Sequence, residues 1–249
     1  MIPHAQTALG RWIRMPLGLI PSGAVLRTLG GLNRGMKWRV GSHTHGCWIG
    51  SYEIAKQRAV LRLAAPGMKV LDIGANAGFY TLGFARLCGP AGHVWAFEPD
   101  PRNLENLRFH LAVNGVTNAT VVAAAVCDRG GSARFEPGPS RATGHLSGSG
   151  TREVATVALD TLLDEGAIPV PDLVKMDVEG AEASVLEGAA RILAAGRTTW
   201  LVAVHGSAQL ERCTDILRRS GHAVETLGTP DELLAYPPAR TGSTRGERE

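Results

Sequence analysis

Apolar and polar positions alternate in blocks along this chain, and the blocks predict strands and helices taking turns. Apolar runs of strand length lie at residues 68–73, 93–98, 119–126, 172–177 and 199–204. Stretches with helical spacing predict helices over about 52–63, 78–87, 101–113 and 208–219. Val185, Leu186, Ala189, Ile192 and Leu193 mark the apolar face of one more. Asp100-Pro101 reads as an N-cap followed by Pro at the first helical position, and Asp160 as the cap of a short helix holding Leu162 and Leu163. Strands that alternate with helices predict an α/β fold with a mostly parallel sheet covered on both faces.

Three segments break the rhythm. Residues 1–40 interrupt their apolar side chains with Pro and Gly and predict an irregular or short-helical arm. Residues 132–135 and 154–158 predict a peripheral hairpin around a mobile loop rich in Pro, Gly and Ser. Residues 223–226 and 233–236 predict an antiparallel hairpin at the sheet edge, and the Pro-, Gly- and charge-rich tail from 237 predicts disorder.

The candidate chemistry gathers where the first long strand ends, at Asp72-Ile73-Gly74-Ala75-Asn76-Ala77-Gly78. A strand, a glycine turn and a helix start form a cradle for a nucleotide-like ligand. The next strand also ends on an acid, Glu98, where a carboxylate can take a ribose diol. A dinucleotide fingerprint is excluded, because Asn76 and Phe79 stand where its second and third glycines belong. No Gly-Lys-Ser/Thr phosphate loop occurs either.

Further strings sharpen this pattern: Gly50-Ser51-Tyr52-Glu53, Phe97-Glu98-Pro99, Leu159-Asp160 and Lys175-Met176-Asp177-Val178-Glu179-Gly180-Ala181-Glu182. With Asp72 to Thr81 they resemble the FkbM family of S-adenosylmethionine-dependent methyltransferases over about residues 48–236. The resemblance implies a Rossmann-like class I methyltransferase fold: a mostly parallel seven-stranded sheet with an antiparallel edge hairpin and helices on both faces. It places the methyltransferase domain at 41–236, after a basic arm at 1–40 and before a tail at 237–249.

The implied cofactor is S-adenosyl-L-methionine. Asp72 and the N–H groups around Gly74 to Gly78 would hold its methionyl end, with Asn76 and Thr81 adding hydrogen bonds and Glu53 closing that end. Glu98 would take both ribose hydroxyls, and Pro99 and Val126 would flank the adenine. One departure from the family is that strand five ends Val202-Ala203-Val204-His205, where members often carry an acid.

Ligands of open α/β sheets bind at the carboxyl ends of the strands, where Asp177 and His205 fall. Asp177 is read as positioning the methyl acceptor or the surroundings of the transferring methyl. His205 is either a general base with a pKa near neutrality or a hydrogen-bonded turn histidine. Glu179 and Glu182 suit a helix N-terminus. Asp177, Glu179 and His205 could ligate a metal, yet their spacing is not that of a metal motif, and none is expected. By analogy the acceptor is a hydroxyl of a small molecule, sugar or glycan.

Charge narrows the partners. The formal net charge is +3, but residues 1–40 hold six basic residues and no acid, leaving 20 basic against 23 acidic in the remainder. That body is not a nucleic-acid-gripping surface, which disfavours the alternative of a nucleic-acid methyltransferase. The intact Asp72, Gly74, Gly78 and Glu98 set disfavours a non-catalytic scaffold. No apolar run approaches the roughly 20 residues of a membrane span, and no signal-peptide pattern is present. Four scattered cysteines without a Cys-x-x-Cys fit the cytoplasm.

Overall fold

Residues 25–39, assigned above to an irregular arm, form a short hairpin in the computed structural model, which describes residues 19–138 and 143–238. In it β1 (Val25–Arg27) pairs antiparallel with β2 (Lys37–Arg39). Residues 1–18, the loop centre 139–142 and the tail from 239 lie outside the described residues. Helices α1 (His45–Ile49) and α2 (Ile54–Leu63) follow, so the single helix expected over 52–63 is preceded by a short separate one.

The alternation then begins with β3 (Lys69–Ile73), α3 (Phe79–Cys88), β4 (His93–Phe97), α4 (Pro101–Val113) and β5 (Ala119–Val122). Asp100 caps α4 as expected, its side chain accepting from the Arg102 N–H at 2.9 Å with Pro101 next in line. The strand expected over 119–126 is split. A tight turn, with the Ala124 N–H donating to the Val122 carbonyl, sends β6 (Ala125–Val126) into a different sheet.

That smaller sheet has the order β6, β9 (Arg152–Val157), β7 (Gly131–Glu136), β8 (His145–Leu146). It contains the expected hairpin as β7 and β9, and adds β8 from within the loop.

After α5 (Leu159–Asp164), β10 (Leu173–Met176) returns to the large sheet. The helix expected to carry Val185 to Leu193 is two helices, α6 (Glu182–Glu187) and α7 (Ala190–Ala194). The break falls at Gly188, where an added Cβ would lie 2.3 Å from the Cys127 carbonyl oxygen. The chain must turn away from that backbone. Asp160 does not cap its own helix. Its carboxylate accepts instead from the Arg191 N–H, in α7. The chain closes with β11 (Thr199–Ala203), α8 (Ser207–Arg219), β12 (Ala223–Leu227) and β13 (Thr229–Tyr236).

The large sheet has seven strands in the order β12-β13-β11-β10-β3-β4-β5. All neighbours are parallel except the β12–β13 and β13–β11 pairs, so the antiparallel edge hairpin is present as expected. Connections run outward from β3 in one direction and from β10 in the other, which makes the β3–β10 boundary the topological switch point. Crevices open there, at the carboxyl ends of the strands.

Two cores lie on opposite faces. Val70, Val94, Leu82 and Phe84 join one with Leu32, Trp38 and Trp48 from the N-terminal segment, while Leu71, Ile73, Met176 and Trp200 join the other with α5 to α8. Trp38, 1% exposed, stacks on His110 of α4 with ring centroids 3.9 Å apart. Burial pushes His110 down to about 4, so it stays neutral. One ring nitrogen then donates to the Ala77 carbonyl at 2.7 Å and the other accepts from the Arg39 N–H at 2.9 Å. The hairpin is therefore part of the core. Trp38→Ala should lower unfolding free energy by about 3–5 kcal/mol, read by urea denaturation; a loss below roughly 1 kcal/mol would mean the hairpin is a detachable arm.

Candidate functional site

The site starts from the meeting of β3 and β10. Asp72 is fully buried on the face it shares in register with Lys175. Thr81 donates to one Asp72 oxygen at 2.6 Å, and the Lys175 amine lies 3.3 Å from the other. That amine also donates to the Gly74 carbonyl at 2.9 Å. Gly74 has φ +72°, and a Cβ on it would lie 1.8 Å from the Asp177 carbonyl oxygen, so only glycine fits there.

The turn keeps its own donors busy. Gly74 and Ala75 N–H groups donate to the Phe97 carbonyl, Asn76 N–H to Glu98, Ala77 N–H to the Asn76 side chain, and Gly78 N–H to the Ala75 carbonyl. The expectation that these N–H groups face a ligand is therefore not met. Asp72 and Thr81 lie beneath the turn and brace it, and neither lines either of the two cavities at this end of the sheet.

Two cavities open at this end of the sheet. The first, about 570 Å³ including space open to solvent, is walled by Phe97, Pro99, Val126, Phe135 and Leu146, with Glu98 and Asn103 as polar lining. Pro99 and Val126 both line this cavity. The small sheet, peripheral by sequence, supplies Phe135, His145 and Leu146 to this wall.

Glu98 is 5% exposed and accepts from the Asn76 and Asp100 N–H groups and the Asn103 amide. Burial pushes its carboxyl up to about 7, outweighing those donors.

The second cavity, about 1100 Å³ and open to solvent, is lined by Tyr52, Glu53, Lys56, Tyr80, Asp231 and Glu232 among others. Gly74, Asn76, Asp177 and Glu179 line both cavities. Lys56, missed by sequence reasoning, is 3% exposed and sits among Glu232 at 2.7 Å, Glu53 at 3.2 Å and Asp177 at 3.7 Å. Burial opposes its charge, but Asp177, Glu53 and Glu232 outweigh burial and hold its pKa above the ordinary lysine range. The Tyr80 hydroxyl donates to Glu53 at 2.8 Å. Glu232 pairs in register with Ala203 and so brings to the end of β11 the acid that strand five lacks.

His205 is joined to this lip from the other side. One ring nitrogen, Nδ1, is 2.7 Å from Glu182 Oε1, and Nε2 is 3.5 Å from Glu179 and 3.8 Å from Asp177. Foremost through the Glu182 bond, its pKa is pushed up to about 9, so the expected near-neutral value is not found. Glu182 does begin a helix, and its carboxylate also accepts from the Gly180 N–H. His43 lines the second cavity, whereas His45 accepts from the Trp48 indole.

A family model described as the Methyltransferase FkbM domain matches residues 72–225, more than half of the chain. The chain belongs to the FkbM methyltransferase family. It is an S-adenosylmethionine-dependent, methyl-transferring enzyme with the class I fold. Among curated relatives, this methyltransferase is 28% identical over 172 residues to the hexuronic acid methyltransferase AglP of Haloferax volcanii, covering 68% of this chain and 69% of that one. It is 30% identical over 152 residues to the 2-O-methyltransferase NoeI of Sinorhizobium fredii, covering 53% and 61%. In fold it is similar to the FkbM methyltransferase of Methylobacillus flagellatus, with a TM-score of 0.50 and 21% identity over 73% of this chain. It spans half the length of that protein. Among the described residues, no helix is long and apolar enough to cross a membrane.

The donor set of the methyltransferase fits an adenosine, with apolar walls for the base and one strand-end carboxylate for the diol. Diol hydroxyls donate to the ionised carboxylate, so binding must release the proton that Glu98 holds below about pH 7. S-adenosylhomocysteine affinity should therefore fall by about tenfold between pH 8 and pH 6 by calorimetry, and Glu98→Gln should abolish that slope. An unchanged slope in the variant would remove Glu98 from the ribose.

Proposed function

We propose that this methyltransferase O-methylates a hydroxyl of a sugar or a related small polyhydroxylated acceptor. The observation that carries this reading is the meeting of two unlike cavities at one lip, made by Gly74, Asn76, Asp177 and Glu179. The first has the chemistry an adenosine asks for, and the second is walled by carboxylates, hydroxyls and two lysines, suited to a polar acceptor.

S-adenosylmethionine supplies a methyl group already activated on a sulfonium. This chain's residues have to hold the two substrates side by side and take up a hydroxyl proton. Glu98 holds the ribose diol, and Pro99 and Val126 flank the base. Asn76 and Glu53 close the methionyl end over the turn shaped by Gly74 and Gly78, with Asp72 and Thr81 bracing it from below.

Asp177, at the lip, accepts the acceptor's proton. His205, its Nδ1 held by Glu182, turns Nε2 toward the same lip. The printed activities of the two curated relatives, on a hexuronic acid and at a 2-O position, support a sugar as acceptor. The acidic wall of the second cavity counts against a nucleic-acid phosphate backbone. Four free, buried cysteines are in keeping with a reducing compartment.

Labelled S-adenosylmethionine offered with a uronic acid glycoside, a neutral pyranoside and bulk RNA tests the reading. Label is expected in a sugar. Asp177→Asn should lower turnover at least about 100-fold while S-adenosylhomocysteine affinity stays within about threefold. Label in RNA alone, or full turnover by the variant, would contradict it.

A further inference from the structure

We propose that Asp177, Glu179 and His205 form a binding site for a first-row divalent cation at the acceptor end of the second cavity. The three residues are scattered in sequence but converge at the carboxyl ends of β10 and β11. One ligand atom from each lies within 4.8 Å of the others. The imidazole Nε2 is 3.5 Å from a Glu179 oxygen and 3.8 Å from Asp177 Oδ1. Donors bound to one ion at about 2.1 Å stand roughly 3.0–3.5 Å apart at neighbouring positions, so small rotations of these side chains close the site. All three are partly exposed to the cavity, which leaves coordination positions open to oxygens of a substrate.

A separate observation points the same way. Glu182 is fully buried, and its Oε1 lies 2.7 Å from the other ring nitrogen, Nδ1. It takes the Nδ1 hydrogen and turns Nε2 toward the two carboxylates. A carboxylate behind a ligating imidazole is the arrangement that fixes the ring and raises its basicity at metal centres.

Charge adds a third reason. Lys56 is taken up by Glu53 and Glu232, and Lys175 by Asp72. Among the described residues, Glu179 has no cation within ion-pair distance except His205. An anionic sugar would meet a wall of carboxylates there, and a bound cation reverses that field. Two carboxylates with one imidazole suit Mn²⁺ or Zn²⁺ better than Mg²⁺ or Ca²⁺, which favour all-oxygen sites.

The role of the ion rests on the sugar reading: it would hold the acceptor hydroxyl together with a neighbouring hydroxyl or carboxylate. Asp177 Oδ2, 3.7 Å from the Lys56 amine, stays outside the site and is the oxygen that would receive the hydroxyl proton.

Mn²⁺ titrated into the full chain, followed by calorimetry and electron paramagnetic resonance, tests the site without any turnover. One saturable Mn²⁺ per chain is expected, with a hyperfine coupling to an imidazole nitrogen. Glu179→Gln and His205→Ala should each weaken it at least about tenfold, and His205→Ala should erase the nitrogen coupling. Glu182→Gln should weaken it about 10- to 100-fold, and Glu187→Gln, on the surface, should leave it unchanged. Circular dichroism identifies any variant that fails to fold.

Absent Mn²⁺ binding, or binding that survives both ligand substitutions, would overturn the proposal and leave His205 as a protonated ion-pair partner. Mn²⁺ binding without transfer to any sugar would keep the metal site and sink the acceptor reading. Sugar methylation undiminished after chelation would keep the acceptor reading and overturn the ion's role in holding the acceptor.

Discussion

The buried amine of Lys175 joins the two strands on which everything else is arranged. It reaches both Asp72 and the Gly74 carbonyl across the β3–β10 boundary, where the chain reverses its direction of sheet building. Removing one partner would leave the other charge buried and uncompensated, so the pair holds the register of the central strands. It also holds them close. The Gly74 backbone comes so near the Asp177 carbonyl that no side chain fits between them. Asp177 and Glu179 are thereby placed at the mouth of the crevice, beside the turn that carries Asn76.

From that junction the two cavities follow. On one side, the Gly74–Gly78 turn spends its N–H groups on Phe97, on Glu98 and on itself. It is a rigid wall and not a cradle of free donors. Glu98 is held by the same turn, so the carboxylate proposed for the ribose and the stiffness of the turn belong to one structure. On the other side, the buried Lys56 gathers carboxylates from three distant elements, Glu53 before α2, Asp177 after β10 and Glu232 in β13. That cluster ties the N-terminal segment and the edge hairpin to the lip of the crevice.

The fold was legible because its signals are local. Apolar runs, the Asp100-Pro101 cap and the hairpin patterns each act within about ten residues, and the sheet follows from their order. The Gly74 and Glu98 positions at the crevice were legible because strand ends carry short, specific strings, whereas Asp72, read as a ligand group, lies beneath the turn. What escaped depends on contacts between distant segments. Lys56 reads as an ordinary helix lysine until Glu53, Asp177 and Glu232 surround it. Gly188 breaks a helix because Cys127 passes beside it, and Asp160 caps a helix thirty residues away. Likewise, Asp177, Glu179 and His205 lack metal spacing in sequence and come together only when β10 and β11 lie side by side.

The most direct measurement is a crystal structure of the protein with S-adenosylhomocysteine bound. The ribose hydroxyls should lie within hydrogen-bond distance of Glu98, with the base between Pro99 and Val126 and the sulfur directed past Gly74 toward Asp177. A nucleoside seated in the second cavity, with Glu98 untouched, would contradict the assignment of the two cavities.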